Sequence, residues 1–166
     1  MPEWLSPIIK LEDFGGNVQE YLDHIFSIFK NDFMDSHPTF EEKGVLHDKK
    51  DDNGRPQGFV HITTEENYAS GERELSLRRC ERISWVRQII ENSSDPAVLV
   101  WVKEVHSSKK KWVKRTSLFL EKERFLIILE EIKHGFYMIT AIYVDSDKQK
   151  EKHLNEYKRY TENNNK

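Results

Sequence analysis

The chain has 166 residues, 37% hydrophobic and 33% charged, which is enough for one domain with a real core and a heavily solvated surface. Its formal net charge of -3 excludes a general nucleic-acid-binding protein, so any anion site must be local. The single cysteine, Cys80, excludes an internal disulfide framework and a thiolate metal site, and it favours a reducing, cytoplasmic location. No apolar run is long enough to predict a membrane span.

The first 92 residues alternate between helical and strand patterns. The predicted elements are, in chain order, a helix over 17–34, two strands over 39–47 and 58–64, and a helix over 66–92. Asn17 fits the N-cap of the first helix because Glu20 follows three residues later. The two strands flank a turn-rich segment that holds an Asn53-Gly54 pair. A break of the second helix near Gly71 is left open.

The remainder of the chain predicts consecutive strands and a closing helix. The predicted elements are strands over 97–106, 112–120, 125–132 and 136–145, a helix over 147–160 and a disordered tail over 161–166. These patterns indicate an α+β fold, in which helices pack on one face of a four-stranded antiparallel β-meander. An N-terminal helical extension over 1–38 and a β-hairpin precede the meander within a main domain over 39–160. The other face of the sheet is expected to be free for a ligand.

An arginine falls on the apolar face of the predicted 66–92 helix. At 100° per residue, that face collects Leu75, Ile83, Val86 and Ile90. Arg79 lies in the same sector, and Arg82 and Arg87 flank it. A guanidinium cannot shed its charge and needs an anion or several acceptors. We therefore expect either a phosphate site at this helix or an ion pair of Arg79 with Glu72 or Glu130.

Two histidines are candidates for acid–base chemistry. His47 and His61 lie on the two predicted strands and become neighbours if those strands pair. Because the histidine pKa lies near neutrality, two imidazoles beside a phosphate can divide the base and acid roles in RNA cleavage. The favoured alternative for His47 is a solvated residue at a strand end. His61 is expected to be either a core histidine or a functional base.

A basic run with an embedded tryptophan lies between the first two strands of the meander. It comprises Lys103 and the segment from Lys109 to Arg115, which includes Lys111 and Trp112. Basic side chains around one aromatic ring fit a nucleic-acid backbone with a stacking platform. An equally good interpretation is a charged hairpin tip that keeps an edge strand from aggregating.

The last predicted strand carries two candidate polar side chains, Thr140 and Tyr143. By the strand period of two, Thr140 shares a face with Met138 and Ile142, whereas Tyr143 lies on the opposite face. Thr140 and Tyr143 cannot line one site unless the strand bulges. The Thr140 hydroxyl can bond a phosphate oxygen, although threonine is also common in strands for packing reasons alone.

Four segments of the chain, in sequence order, resemble the phage-associated branch of the barnase–EndoU–colicin–RelE-like nuclease superfamily. They are His61, Arg79-Cys80-Glu81-Arg82-Ile83-Ser84-Trp85, Phe125-Leu126-Ile127-Ile128-Leu129 and Thr140-Ala141-Ile142-Tyr143-Val144. The resemblance covers residues 40–158. It departs at Ile142, because EndoU-like members carry a tyrosine two residues after the last-strand hydroxyl.

This resemblance implies a metal-independent ribonuclease that acts on tRNA or other structured RNA, of the kind found as phage or mobile-element toxins. It implies His61 as the acid or base, Arg79 or Arg82 as the phosphate ligand and Thr140 as the last-strand hydroxyl. Further contacts with the RNA substrate are expected from Arg87, Lys111, Trp112, Arg115 and Tyr143. No metal or cofactor is implied, and a cognate inhibitor protein is an expected partner. The alternative is a non-catalytic phage accessory protein that binds a host protein or RNA.

Overall fold

The computed structural model describes residues 1–164 and defines an α+β fold; Asn165 and Lys166 lie outside the described residues. In chain order the helices are a 3-10 turn at Leu11–Phe14, α1 at Val18–Phe29 with a π-helical turn at Lys30–Met34, α2 at Gln57–Thr63, α3 at Leu77–Glu81, α4 at Ile83–Glu91, a 3-10 turn at Glu121–Glu123 and α5 at Asp147–Asn164. The strands are β1 at Thr39–Phe40, β2 at Lys43–Leu46, β3 at Asp51–Asp52, β4 at Arg55–Pro56, β5 at Thr64–Glu66, β6 at Arg73–Leu75, β7 at Val98–His106, β8 at Trp112–Leu120, β9 at Phe125–Ile132 and β10 at Gly135–Tyr143.

A mixed six-stranded sheet in the order β1-β2-β10-β9-β8-β7 is the centre of the fold. The strands from β7 to β10 pair with their sequence neighbours in antiparallel fashion. The predicted sheet of four antiparallel strands is therefore too small, since β1 and β2 extend it. The added strand β2 runs parallel to β10, with Phe136 opposite Val45 and Tyr137 opposite Leu46.

Helix α1 forms as the sequence predicts and supplies much of the core. The Asn17 side chain accepts a hydrogen bond from the Glu20 backbone N–H at 3.1 Å, which caps the helix. Tyr21, Ile25 and Phe29 recur every fourth residue and are fully buried. The predicted N-terminal extension thus shares one hydrophobic core with the rest of the chain.

The region between β2 and α4 differs from the prediction in two places. Residues 57–63 form helix α2 and not a strand, because Phe59 and Ile62 are three residues apart and both turn into the core. Residues 64–75 form the small hairpin β5–β6 and not the start of a long helix. Gly71, at φ +74°, lies in the turn of that hairpin, where a left-handed conformation ends any helical pattern.

The two faces of the sheet are covered to different extents. The face toward α1 and α4, here called the inner face, buries side chains such as Leu118, Ile127 and Leu129. The opposite outer face carries Trp101, Phe119 and Leu126, against which α5 packs Leu154 and Tyr157. The expectation of helices on one face alone is therefore wrong, because the polar helix α5 has an apolar side that needs burial.

Helix α5 continues through Thr161 to Asn164, so the start of the tail predicted to be disordered is helical. None of the helices within residues 1–164 is both long and apolar enough to cross a membrane.

Candidate functional site

A β-bulge at Ile139 determines which side chains β10 presents on the outer face. Tyr137 lies opposite Glu130 on β9, and Thr140 lies opposite Ile128, so three residues of β10 span two residues of β9. Because directly opposed residues share a face, the bulge brings Tyr137 and Thr140 to the outer face together. The predicted grouping of Thr140 with Met138 is wrong for this reason, and Met138 is buried on the inner face. Thr140 and Tyr143 do lie on opposite faces, since the bulge precedes both.

Beyond Tyr137 the edge of β10 away from β9 has no strand partner within residues 1–164. Strand β2 pairs with β10 only at Phe136 and Tyr137, after which the chain leaves the sheet at His47 and Asp48. Helix α2 then returns along the uncovered edge of β10. The result is a cleft of about 240 Å3, here called the edge cleft, lined by Asp48, Gln57, Gly58, His61, Tyr137, Met138 and Ile139.

Gly58 permits the close approach of α2 to the end of β2. A Cβ atom at this position would lie 3.0 Å from the His47 Cβ and 3.2 Å from the Asp48 backbone nitrogen. The Gly58 N–H also donates to the Asp48 carbonyl oxygen at 2.9 Å. The missing side chain therefore brings His61, one helical turn later, beside the strand that carries Tyr137.

The environment of the edge cleft favours the uncharged forms of His61 and Tyr137. Burial lowers the pKa of His61, and the positive charges of Arg73 and Arg79 lower it further, while Asp48 opposes them. Burial raises the pKa of Tyr137, and the negative charge of Asp48 raises it further. His61 is therefore a neutral imidazole that can accept a proton, and Tyr137 is a protonated hydroxyl that can donate a hydrogen bond.

A cross-strand row of polar residues, here called the outer row, leads from Tyr137 across the outer face. The register aligns Tyr137, Glu130, Arg115 and Lys103 on four successive strands. Strands lie about 4.8 Å apart, so the row spans roughly 14 Å. Arg115 Nε lies 3.3 Å from a Glu130 carboxylate oxygen, and Lys103 Nζ lies 3.2 Å from Glu156 of α5.

The terminal nitrogens of Arg115 make no hydrogen bond or ion pair within residues 1–164. The guanidinium is therefore oriented by Glu130 through Nε and retains donors for a further anion.

Arg79 lies against α2 and close to His61. Its guanidinium contacts main-chain oxygens. Arg79 Nη1 donates to the carbonyl of Thr64 at 2.6 Å and to the carbonyl of His61 at 3.2 Å. Neither Glu72 nor Glu130 forms an ion pair with it within the described chain. The arginine thus satisfies carbonyl groups at the carboxyl end of α2, where the helix has no N–H donors of its own.

Arg82 and Tyr143 lie together on the inner face, away from the outer row. The Arg82 guanidinium carbon is 4.5 Å from the centroid of the Tyr143 ring, and that of Arg78 is 4.6 Å away. Arg82 also donates to the Arg78 carbonyl oxygen at 2.8 Å and lies 3.7 Å from Glu81. The guanidiniums of Arg78 and Arg82 therefore both make cation–π contacts with the Tyr143 ring at the carboxyl end of β10.

The remaining predicted site residues are dispersed over the molecule. Arg87 joins α4 to the chain after α1, because it donates to the Asp32 carbonyl at 3.0 Å and to the Ser36 hydroxyl at 2.7 Å. Lys111 and Trp112 lie exposed at the β7–β8 hairpin. His47 is buried with its ring 5.2 Å from that of Phe29, so the expectation of a solvated residue is wrong for His47.

The sequence did not single out Asp48, Gln57 or Tyr137, which line the edge cleft beside His61. Asp48 and Gln57 flank the turn-rich segment on either side, a pattern that resembles an ordinary solvated loop. Tyr137 can be recognised as a site residue only once the bulge is known, because simple alternation does not place it on the same face as Thr140.

Comparisons with known proteins add no relative: no family model, no curated protein and no solved structure matches this chain. Within residues 1–164, no group of three or more His, Cys, Asp or Glu side chains is arranged to hold a metal ion.

Proposed function

We propose that this protein is a metal-independent endoribonuclease of the cytoplasm, of phage or mobile-element origin, with its reaction centre in the edge cleft. One observation carries the proposal: His61 and Tyr137 line the same cleft, and their environment favours a neutral imidazole and a protonated hydroxyl. RNA cleavage by the 2′-hydroxyl uses a base, a hydrogen-bond donor and a cation that contacts the phosphate. The edge cleft holds the first two, and we assign the third to the outer row.

In the proposed reaction, His61 removes the proton of a ribose 2′-hydroxyl. The 2′-oxygen then attacks the adjacent phosphorus, so that the O2′–P bond forms and the P–O5′ bond breaks. The hydrogen bond from Tyr137 stabilises the departing 5′-oxygen, which takes a proton from water. The imidazolium of His61 returns its own proton to the resulting hydroxide, which restores the neutral enzyme. The products are a 2′,3′-cyclic phosphate and a free 5′-hydroxyl.

The outer row supplies the charge that this step needs. Negative charge grows on the non-bridging phosphate oxygens in the transition state, and fixed guanidiniums stabilise it. The terminal nitrogens of Arg115 have no partner within the described part of the chain. The Arg115 backbone lies two strand spacings, or roughly 10 Å, from that of Tyr137, and an extended arginine side chain shortens this distance. Thr140 lies one cross-strand row away and offers a hydroxyl to the same phosphate. In this scheme Arg115 takes the role expected of Arg79 and Arg82.

The test is cleavage of a tRNA pool and of a short unstructured RNA by the purified full-length protein in excess EDTA. We expect fragments that end in cyclic phosphate and no cleavage at a 2′-deoxy nucleotide. His61→Ala should lower the rate by 100-fold or more, within the range for removal of an acid–base group, about 10²–10⁴. His134→Ala, which changes an exposed histidine in the β9–β10 turn, is the matched control and should retain wild-type activity. Equal rates for the wild type and His61→Ala would remove the edge cleft from the mechanism.

One observation favours a second candidate, a non-catalytic accessory protein that binds a host protein or RNA. The Arg79 guanidinium, which lies beside His61, is engaged with two carbonyl oxygens and is not free to hold a phosphate. Expression in bacteria separates the two functions. A ribonuclease toxin should arrest growth, and the His61→Ala/Arg79→Ala double variant should not, whereas an accessory protein should be tolerated in both forms.

A further inference from the structure

The β7–β8 hairpin extends beyond the edge of the sheet as a two-stranded ribbon. Strands β7 and β8 stay paired as far as His106 and Trp112, whereas β9 pairs with β8 only from Arg115 onward. Residues 104–114, here called the ribbon, therefore have no strand partner except each other within the described chain. At about 3.3 Å per residue, the ribbon projects roughly 15 Å from the outer row.

The ribbon concentrates positive charge in a protein whose net charge is -3. It carries Lys109, Lys110, Lys111 and Lys114 against one carboxylate, that of Glu104. None of these lysines forms an ion pair within residues 1–164. The turn is closed by a hydrogen bond of 2.8 Å from the Ser107 N–H to the Lys111 carbonyl. The ribbon therefore offers four solvated ammonium groups on a hydrogen-bonded support.

The turn also places a lysine where the backbone disfavours one. Lys110 has a φ of +58°, the left-handed region in which glycine or asparagine is less strained. A lysine at this position costs the fold about 1 kcal/mol or more relative to glycine. A turn that serves only to reverse the chain does not need a lysine at this position. The strain is therefore consistent with a function for the Lys110 charge.

The ribbon presents an aromatic platform among these lysines. Trp112 is 71% exposed, although a tryptophan usually buries most of its surface. Its ring lies 5.3 Å from that of His106 on the opposite strand, at an interplanar angle of 64°. The imidazole thus supports the indole from one side and leaves its remaining surface to solvent. Lysines that bind phosphates around a supported, exposed indole are the components of a single-strand nucleic-acid site.

We propose that the ribbon binds an unpaired stretch of RNA, with one base stacked on Trp112 and the flanking phosphates on the lysines. This inference rests on the proposed ribonuclease function for the identity of the nucleic acid and deepens it by naming the substrate class. Trp112 lies three positions before Arg115 on β8, so its side chain is on the face of the sheet opposite to the outer row. The favoured substrate is a single strand or a loop, whose bases are free to stack on the indole. A duplex is excluded as the favoured ligand, because its bases are stacked on each other and cannot reach the indole.

The experiment measures binding of a fluorescent ten-nucleotide 2′-O-methyl RNA, which cannot be cleaved, to the full-length protein by anisotropy. We expect Trp112→Ala to weaken binding about 5- to 100-fold, the range for loss of one base–aromatic stack. Trp112→Phe, which keeps a stacking surface, should stay within about threefold of the wild type. Lys110→Ala and Lys114→Ala should each flatten the dependence of log Kd on log salt by about 0.7. All four substitutions change exposed residues, and far-ultraviolet circular dichroism checks that each variant is folded.

Three outcomes would overturn the inference. These are unchanged binding by Trp112→Ala, equal or tighter binding of a duplex of the same length, and equal binding of poly-glutamate, which would indicate an acidic protein partner. Failure of the ribonuclease proposal has a different signature. In that case the wild type binds the uncleavable strand through Trp112 but cleaves no RNA.

Discussion

The Arg79 guanidinium and the His61 main chain are joined directly, because Arg79 Nη1 donates to the His61 carbonyl oxygen at 3.2 Å. The arginine on an apolar helix face thus contacts the residue that we propose as the base, through its backbone and not through its imidazole. Its charge nonetheless acts on that imidazole, since it lowers the pKa of His61. Arg79 is therefore a positioning residue for the edge cleft.

The first prediction concerns the stability that Arg79 provides. Arg79→Ala leaves the carbonyls of His61 and Thr64 with one charged donor fewer, and hydrogen bonds to charged groups contribute about 1.5–3 kcal/mol each. We expect a loss of about 2 kcal/mol in the free energy of unfolding, measured by urea denaturation. The matched control is Arg73→Ala, which removes bonds to the same two carbonyls from an exposed side chain and should cost less than about 1 kcal/mol. Equal losses for the two variants would contradict a special role for Arg79.

The second prediction is the pH dependence of cleavage. His61 acts as a base only when neutral, and its pKa lies below the ordinary histidine value of about 6.5. The value of kcat/KM should therefore be constant through neutral pH and should fall only below the ordinary histidine pKa, as His61 becomes protonated. Arg79→Ala removes a positive charge that lowers this pKa, so the fall should begin at higher pH. A profile that does not move in Arg79→Ala would show that the arginine acts through packing alone.

The third prediction separates Arg87 from the RNA site. Arg87→Ala breaks its bonds to the Asp32 carbonyl and the Ser36 hydroxyl, which connect α4 to the segment after α1. We expect a loss of about 1–2 kcal/mol in the free energy of unfolding. The rate of RNA cleavage below the unfolding temperature should stay within about twofold of the wild type. A large fall in kcat with unchanged stability would indicate instead that Arg87 contacts the substrate.

The fourth prediction uses the close approach at Gly58. A methyl group there would lie 3.0 Å from the His47 Cβ, so α2 must move away from the end of β2. Gly58→Ala should cost about 1–3 kcal/mol in the free energy of unfolding, as overpacking of a core does. It should also lower the cleavage rate at temperatures where the variant is folded, because His61 moves with α2. Val60→Ala, which shortens a half-buried side chain of the same helix outside the edge cleft, is the control and should leave the cleavage rate unchanged.

The sequence predicts the second half of the chain far better than the first. Strands β8 and β9 coincide with the predicted ranges 112–120 and 125–132, because long apolar alternations end at clear turn signals. The α+β class follows from the same signals. The sequence of α2 predicts a strand because Phe59, Val60 and Ile62 form an apolar run that is too short for its period to be determined. The packing of that run against α1 decides its conformation, and no local signal reports it.

The candidate site was predictable only in part for a related reason. His61 was identified by its residue type and its apolar neighbours, which are local properties. Arg115 is expected from the basic run around Trp112. Tyr137 shares the outer face with Thr140 only because of a bulge at Ile139, which alternation in one strand does not reveal. The parallel pairing of β2 with β10, which creates the edge cleft, joins segments about 90 residues apart in the sequence.

The position of α2 along the edge of β10 has a consequence for solubility. A sheet edge with unpaired N–H and C=O groups can pair with the same edge of another molecule and seed aggregates. From Met138 onward, α2 and α3 occupy the space where such a neighbour would bind. Substitutions that loosen α2 in order to open the cleft to larger substrates should therefore also raise the tendency of the protein to aggregate. Variants selected for wider substrate range are expected to need compensating charges at this edge.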